Sequence, residues 1–179
     1  PKMDLEESKN YYKKISEMGK YLEDQGMPLA FHHHMGTVIE TQEDTKRLLE
    51  NTHDSVKLTL DTGHMLFAQG NLEKILKDFS ERIIHIHCKD IRKNVLDNSL
   101  KEDLSFRGAI SEGAFTVPGD GCIDYQPLFD ILKETLYSGW LVVESEQDPA
   151  KANPFEYAKI GYKYLTDTLI KSNIEIFKD

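Results

Sequence analysis

Side chains that can bind metal ions or move protons form four short groups along the 179-residue chain. Each group stands at the end of a short apolar run. Imidazole nitrogen together with carboxylate oxygen suits Mn²⁺, Co²⁺, Fe²⁺ or Zn²⁺, whereas Ca²⁺ and Mg²⁺ prefer oxygen alone. The pattern therefore predicts a transition-metal site, and its candidate residues are His32, His33 and His34; Asp61 and His64; His85 and His87; and Glu144 and Glu146.

Segments of helical and strand character alternate along the chain, and this order predicts an α/β fold with parallel strands. The segment 91–113 is polar and is expected to be helical, and 116–124 is expected to form a tight turn in which Asp124 caps the next helix. The predicted strands are 27–34, 56–64, 82–90 and 139–147, and the predicted helices are 4–25, 41–51, 71–79, 125–136 and 150–171.

The four chemical groups fall at the carboxyl ends of the four predicted strands. In parallel α/β barrels these ends converge on one mouth, where the active site is built. Because side chains alternate along a strand, His32 and His34 share one face, as do His85 with His87 and Glu144 with Glu146. His33 then faces away and is expected to be structural. Gly63 is expected to let the chain turn after Asp61, so that His64 approaches from a loop.

Composition narrows the classes of function. The chain is 39% hydrophobic and 30% charged, which is typical of a single globular domain over 1–179. A formal charge of −9 disfavours nucleic acid as a partner. No apolar run is long enough to span a membrane, and no signal peptide is recognisable, so we expect a cytoplasmic protein without a disulfide. His53 is expected to be exposed, and Cys88 and Trp140 are expected to pack in the core.

Five segments of the sequence resemble inosose dehydratase, a family of xylose-isomerase-like barrels: LAFHHHMGT, LDTGH, HIHCKD, FTVPGDGCID and GWLVVESEQDPAKANP. The resemblance extends from about residue 5 to about residue 170. It implies a (β/α)₈ TIM barrel, of which this chain supplies the C-terminal half, about four βα units. A whole barrel typically needs about 250 residues. A half barrel would expose strand edges, so we expect the chain to form a homo-oligomer.

The resemblance also implies a divalent metal held by His32, Asp61, His87 and Glu144. Related sugar epimerases carry a glutamate where this chain has His32, and this departure disfavours a mechanism with two glutamate bases. Manganese or cobalt is the expected ion, with zinc or iron compatible with the same donors. Glutathione is implied as a cofactor by the resemblance alone.

The activity implied is a metal-dependent dehydratase, a lyase of inositol catabolism that removes water from 2-keto-myo-inositol (inosose). The reaction needs a base for the α-proton and an acid for the leaving hydroxyl. Glu144 is favoured as ligand and base, Lys89 or His64 as its polar partner, and His34, His64 and Lys89 as contacts to the cyclic keto-polyol substrate. Glu146 and His34 are further candidates for the base.

Three other functions fit parts of the pattern. A sugar or keto-polyol isomerase or epimerase would use the same ligands. An endonuclease IV-like enzyme shares the Asp-x-x-His element of Asp61 and His64, but the acidic charge argues against a DNA-binding surface. A metal-binding module without catalysis is the third alternative.

Overall fold

A computed structural model describes residues 2–177 of the chain. Its first part contains α1 (Leu5–Asp24), β1 (Leu29–His32), α2 (Gln42–Glu50), β2 (Val56–Asp61), α3 (Thr62–Phe67) and α4 (Leu72–Asp78). A short 3₁₀ turn (Ser80–Arg82) precedes β3 (Ile83–Cys88) and β4 (Asp90–Ile91). The remaining elements are α5 (Lys93–Lys101), α6 (Phe106–Ser111), β5 (Phe115–Thr116), α7 (Gln126–Glu134), β6 (Trp140–Val143) and α8 (Pro154–Lys171).

Several helices begin where a short polar side chain can cap them. Asp4 accepts the N–H of Glu7, and the Glu7 carboxylate accepts the N–H of Asp4, which closes a capping box at α1. Thr41 and Asp44 repeat this arrangement at α2. These starts agree with the helices predicted from residues 4 and 41. The predicted helices 71–79 and 150–171 are found as α4 and α8.

The main sheet has four strands in the order β1-β2-β3-β6. Strands β1 and β2 pair in parallel, with Leu29 opposite Val56 and His32 opposite Thr59. A separate pair, β4 and β5, is antiparallel, with Asp90 opposite Thr116. The sequence predicted the four main strands but not this short antiparallel pair, because two-residue strands leave no periodic signal.

The chain divides into two compact units, which are described separately. Unit 1 runs to Ile86 and includes Ser138–Trp140. Its core is mainly aliphatic. At the amino ends of β2 and β3, the Arg82 guanidinium donates to the carbonyl oxygens of Val56, Leu49 and His53 at 2.7–3.1 Å. The core side chains of unit 1 include Leu48, Leu49, Val56, Leu58, Leu60, Met65, Ile75 and Leu76.

Unit 2 contains His87–Tyr137 and the chain from Leu141 onward. Helices α7 and α8 pack on one another, and α8 approaches β6 closely at Gly161, where a Cβ atom would lie 2.6 Å from Val143 Cγ1. The core of unit 2 includes Ile91, Phe115, Tyr125, Leu128, Phe129, Ile131, Leu132, Leu165 and Leu169. The prediction that residues 1–179 form one domain stays a prediction.

Some local predictions differ from the structure. The polar segment 91–113 is helical as expected, but it is divided into the two helices α5 and α6. Asp124 accepts the N–H of Gln126 at 3.0 Å, but Tyr125 occupies the cap position of α7. The expectation that Trp140 is buried is wrong, since the residue is 67% exposed. His53 is exposed and Cys88 is buried, as predicted. Among residues 2–177, no helix is both long and apolar enough to traverse a bilayer.

Candidate functional site

In unit 1, the parallel strands β1 and β2 end at an imidazole and a carboxylate. His32 Nε2 lies 3.5 Å from Asp61 Oδ2. Asp61 is fully buried, and its other oxygen, Oδ1, accepts the backbone N–H of His64 at 2.8 Å. Asp61 thereby caps α3 with one oxygen and directs the second toward His32. The helix N-terminus also favours negative charge on this carboxylate.

His33 supports this pair from within the protein. It is fully buried, and its Nε2 accepts the backbone N–H of Asp61 at 3.1 Å. Burial lowers the pKa of His33 to about 3, although the nearby Asp61 carboxylate acts in the opposite direction. The ring is therefore neutral near pH 7, with its proton on Nδ1. This arrangement agrees with the structural role expected for His33.

His34 and His64 lie side by side in unit 1. Their ring centroids are 3.7 Å apart, and their planes are inclined by 41°. His34 Nδ1 donates to the carbonyl oxygen of Met35 at 2.8 Å, which leaves Nε2 as the lone-pair nitrogen of the neutral ring. The expectation that His64 approaches from a loop is wrong. Residue 64 is in the first turn of α3, and Gly63 lies inside that helix because Asp61 caps it.

In unit 2, a second imidazole and carboxylate meet at the ends of β3 and β6. His87 Nδ1 lies 2.6 Å from Glu144 Oε2. The backbone N–H of Glu144 donates to the carbonyl oxygen of Cys88 at 3.3 Å, so the two strand ends are joined next to the pair. Both side chains are part-exposed, at 23% for His87 and 33% for Glu144. A ligand can therefore reach them from solvent.

Lys89 is fully buried beside this pair, which is rare for lysine. Its Nζ lies 2.8 Å from Glu146 Oε2 and 3.6 Å from Glu144 Oε2. The ammonium also lies 5.6 Å from the centroid of the Phe115 ring. Two carboxylates thus compensate one buried cation, which is the condition under which a charge is tolerated inside a protein.

The donors of the two units match a divalent transition metal in their chemistry. Each unit provides one imidazole nitrogen and one carboxylate oxygen from the four residues predicted as ligands. The candidate donors are imidazoles and carboxylates, while of the two cysteines Cys88 is packed in the core and Cys122 is exposed. The residues therefore fit a metal of the Mn²⁺ to Zn²⁺ range.

Sequence reasoning underestimated two residues. Glu146 was only a candidate base, yet its Oε2 lies closer to the Lys89 ammonium than that of Glu144 does, at 2.8 Å against 3.6 Å. Asp90 was not considered, although an acidic residue directly after a buried strand and upstream of the glycine-rich segment 116–124 could have indicated a loop anchor. In the structure, Asp90 is fully buried and accepts backbone N–H groups of that segment.

Comparisons of this sequence with known proteins find one matching family model and several similar curated proteins. A family model described as "Xylose isomerase-like TIM barrel" matches residues 2–168. Inosose dehydratase of Clostridium beijerinckii is 48% identical over 154 residues, which cover 86% of this chain and 52% of that protein. Rhizopine catabolism protein MocC of Rhizobium meliloti is 44% identical over 165 residues, covering 92% of this chain and 51% of that protein. The chain thus spans about half the length of the curated relatives it matches.

Solved structures with a similar fold are more distant in sequence. The IOLI protein, described with a binding zinc atom, has a TM-score of 0.72 at 22% identity over 96% of this chain and 60% of its own. The probable 3-DHS dehydratase AsbF of Bacillus anthracis has a TM-score of 0.71 at 18% identity over 92% of this chain and 58% of its own. At these identities the likeness concerns the fold alone.

Proposed function

Because this chain belongs to the xylose isomerase-like TIM barrel family, we propose that it forms part of a metal-dependent dehydratase that removes water from 2-keto-myo-inositol. The observation that carries the choice of reaction is the 48% identity with an inosose dehydratase over 86% of this chain. The clustered acid, base and imidazole groups at the strand ends support it, because elimination of water needs such groups.

We further propose that β1, β2, β3 and β6 are four of the eight strands of a (β/α)₈ barrel and correspond to its C-terminal half. The parallel pairing of β1 with β2 and the family membership support this assignment. So does the match to about half the length of the curated relatives. In such a barrel, the ends of these strands would face the active-site mouth.

The proposed ligands of one divalent ion are His32, Asp61, His87 and Glu144. Two properties support this set: its members form imidazole–carboxylate pairs within their own units, and all stand at or just beyond strand ends. Manganese or cobalt is proposed as the ion, on the donor chemistry. When bound, a divalent metal would polarise the substrate ketone and stabilise the negative charge that develops on its oxygen.

The protein's own groups would move the protons. Glu144 is proposed as the base that takes the α-proton of the ketone. The buried Lys89 ammonium lies 3.6 Å from Glu144 Oε2 and lowers the cost of negative charge on that carboxylate. Lys89 or His64 would donate a proton or hydrogen bond to the departing hydroxyl, and His34 would contact the polyol. A cyclic keto-polyol offers several hydroxyl groups to these donors and acceptors.

Turnover of 2-keto-myo-inositol by the complete protein carrying this sequence tests the proposal. We expect a product lighter by one water, detected by mass spectrometry, and one divalent ion per chain by elemental analysis. His87→Ala should lose both the ion and the reaction, while the exposed His53→Ala should retain both. A product of unchanged mass but altered stereochemistry would instead identify an isomerase or epimerase. Full turnover by the His87→Ala protein would refute the proposed site.

A further inference from the structure

Asp90 is a fully buried carboxylate that lies next to Lys89 in the chain. One of its oxygens accepts the N–H groups of Ile91 at 2.7 Å and Ile123 at 2.9 Å, and the other accepts the N–H of Gly119 at 3.3 Å. Burial raises the pKa of Asp90, while these backbone hydrogen bonds act to lower it. The carboxylate therefore anchors the loop 119–125 to the chain that follows β3.

The loop fits around this carboxylate only because residue 121 is glycine. A Cβ atom at Gly121 would overlap Asp90 Oδ1 and would lie 2.7 Å from the carbonyl oxygen of Ile91. Any side chain at this position would displace the carboxylate or the loop. The glycine-rich segment therefore forms a binding site for the Asp90 carboxylate as well as a tight turn.

Two more hydrogen bonds fasten the same loop to residues 89–91. The N–H of Cys122 donates to the carbonyl oxygen of Ile91 at 2.9 Å. The buried Tyr125 hydroxyl donates to the carbonyl oxygen of Lys89 itself at 3.1 Å. The backbone of the buried lysine is therefore held from the loop side, while its ammonium is held by Glu146 at 2.8 Å.

We propose that Asp90 is a positioning residue, which, together with Gly121 and Tyr125, fixes the backbone of Lys89 so that its ammonium stays buried beside Glu146 and Glu144. This inference rests on the proposed function in one respect: Lys89 is taken to serve the reaction. A lysine side chain has four rotatable bonds, so burying its ammonium at a defined place requires a fixed backbone. The loop 119–125 provides that constraint.

Acylation of lysines in the complete protein tests the placement of Lys89 directly. Brief treatment with acetic anhydride, followed by peptide mass spectrometry, gives the labelling rate of each lysine. In the wild type, Lys89 should be protected, whereas Lys163, with 76% of its side chain exposed, serves as the internal reference. In Asp90→Asn, which has nearly the same size but presents an amide to the N–H donors, Lys89 labelling relative to Lys163 should rise about tenfold, since one charge-assisted hydrogen-bond site is lost.

Tyr125→Phe removes one hydroxyl from a buried site and is expected to fold. It should raise the Lys89 labelling ratio about threefold, because a single neutral hydrogen bond is lost. Asp97→Asn, at an exposed ion pair with Lys93, is the matched control and should leave the ratio unchanged. An unchanged Lys89 ratio in a folded Asp90→Asn or Tyr125→Phe protein would overturn the inference, even if the melting temperature fell, because a purely structural anchor predicts lower stability without selective exposure of Lys89.

Turnover measurements separate this inference from the proposed function. If both are correct, Tyr125→Phe lowers kcat for dehydration more than it raises KM, in parallel with the labelling of Lys89. If the wild-type protein does not dehydrate the keto-inositol, the labelling ratios still decide whether Asp90 and Tyr125 position Lys89. Increased labelling of Lys89 with unchanged kcat would show that the lysine does not serve the reaction, and would overturn that part of the inference.

Discussion

Replacing His33 by glutamine should make the free energy of unfolding fall less as the pH is lowered from 7 to 5. His33 is buried in the neutral form and accepts the Asp61 N–H through Nε2. A glutamine side chain carries an amide oxygen that can accept the same N–H but does not titrate. His33→Gln therefore preserves the hydrogen bond while removing the proton-binding group.

The size of the effect follows from the difference in pKa between the two states. Unfolded His33 has the ordinary value of 6.5, and burial lowers the folded value to about 3. As the pH falls below 6.5, only the unfolded chain takes up a proton at this residue, so the folded state loses stability until the pH approaches 3. Between pH 7 and pH 5 this linkage removes about 2 kcal/mol from the wild-type free energy of unfolding.

Urea denaturation followed by circular dichroism at pH 7 and pH 5, with a chelator present, measures the difference. All other titrating groups are common to both proteins, so the wild type should lose about 2 kcal/mol more than His33→Gln over this interval. The exposed His53→Gln protein is the control for loss of a histidine, and a loss of stability in it as small as in His33→Gln would show that the effect is not specific to His33. Equal losses in the wild type and His33→Gln would refute the neutral, buried state of His33.

Three further substitutions test other parts of the structure. Arg82→Met should lower the free energy of unfolding by about 2 kcal/mol, because three backbone carbonyls lose a part-buried donor, as measured by urea denaturation. Asp61→Asn should abolish retention of a divalent ion through dialysis, as measured by elemental analysis, since the amide lacks the charge of the ligand. Glu146→Gln should lower kcat for dehydration about a hundredfold, because it removes the negative charge that lies 2.8 Å from the Lys89 ammonium.

Each of these outcomes has a matched comparison. Lys57→Met is the comparison, because this half-buried lysine of β2 makes a single long hydrogen bond, 3.4 Å to the carbonyl oxygen of Glu81. It should lower the free energy of unfolding much less than Arg82→Met does, and equal effects of the two would show that the Arg82 hydrogen bonds do not stabilise the fold. Wild-type metal content in Asp61→Asn would exclude that carboxylate as a ligand. Wild-type kcat in Glu146→Gln, with the exposed Glu112→Gln as control, would remove Glu146 from the site.

The sequence alone was sufficient to predict the main elements, because long periodic segments report burial directly. Helix α1 has both a capping box and apolar residues at helical spacing, and its predicted bounds of 4–25 differ from Leu5–Asp24 by one residue at each end. The runs that end at Asp61 and Cys88 are β-branched and apolar, which identified buried strands. The alternation of side chains along the predicted strand 27–34 likewise separated His33 from its neighbours, although β1 itself ends at His32.

Features that depend on three-dimensional contacts were not predictable in this way. Gly63 was interpreted as a turn, but the Asp61 side chain caps α3 and keeps the glycine helical. Trp140 is exposed although it begins an apolar strand. The partnership of Lys89 with Glu146 joins residues 57 positions apart, and no local pattern reports such a distance. Residue types at strand ends indicated the chemistry, but the pairing of individual side chains required coordinates.

The polar contacts of unit 1 are divided between the two ends of its strands. At the amino ends, Arg82 ties the start of β3 to Val56 and to the segment 49–54, and its partners are mostly backbone carbonyls. At the carboxyl ends, His33 and the N–H of His64 hold Asp61 opposite His32. In parallel barrels, the amino face contributes stability and the carboxyl face contributes chemistry. Arg82→Met should therefore reduce stability with little change in the metal affinity of the folded protein. Asp61→Asn keeps an oxygen that can cap α3, so it should reduce metal affinity with a smaller change in stability. A common effect of both substitutions would contradict this separation.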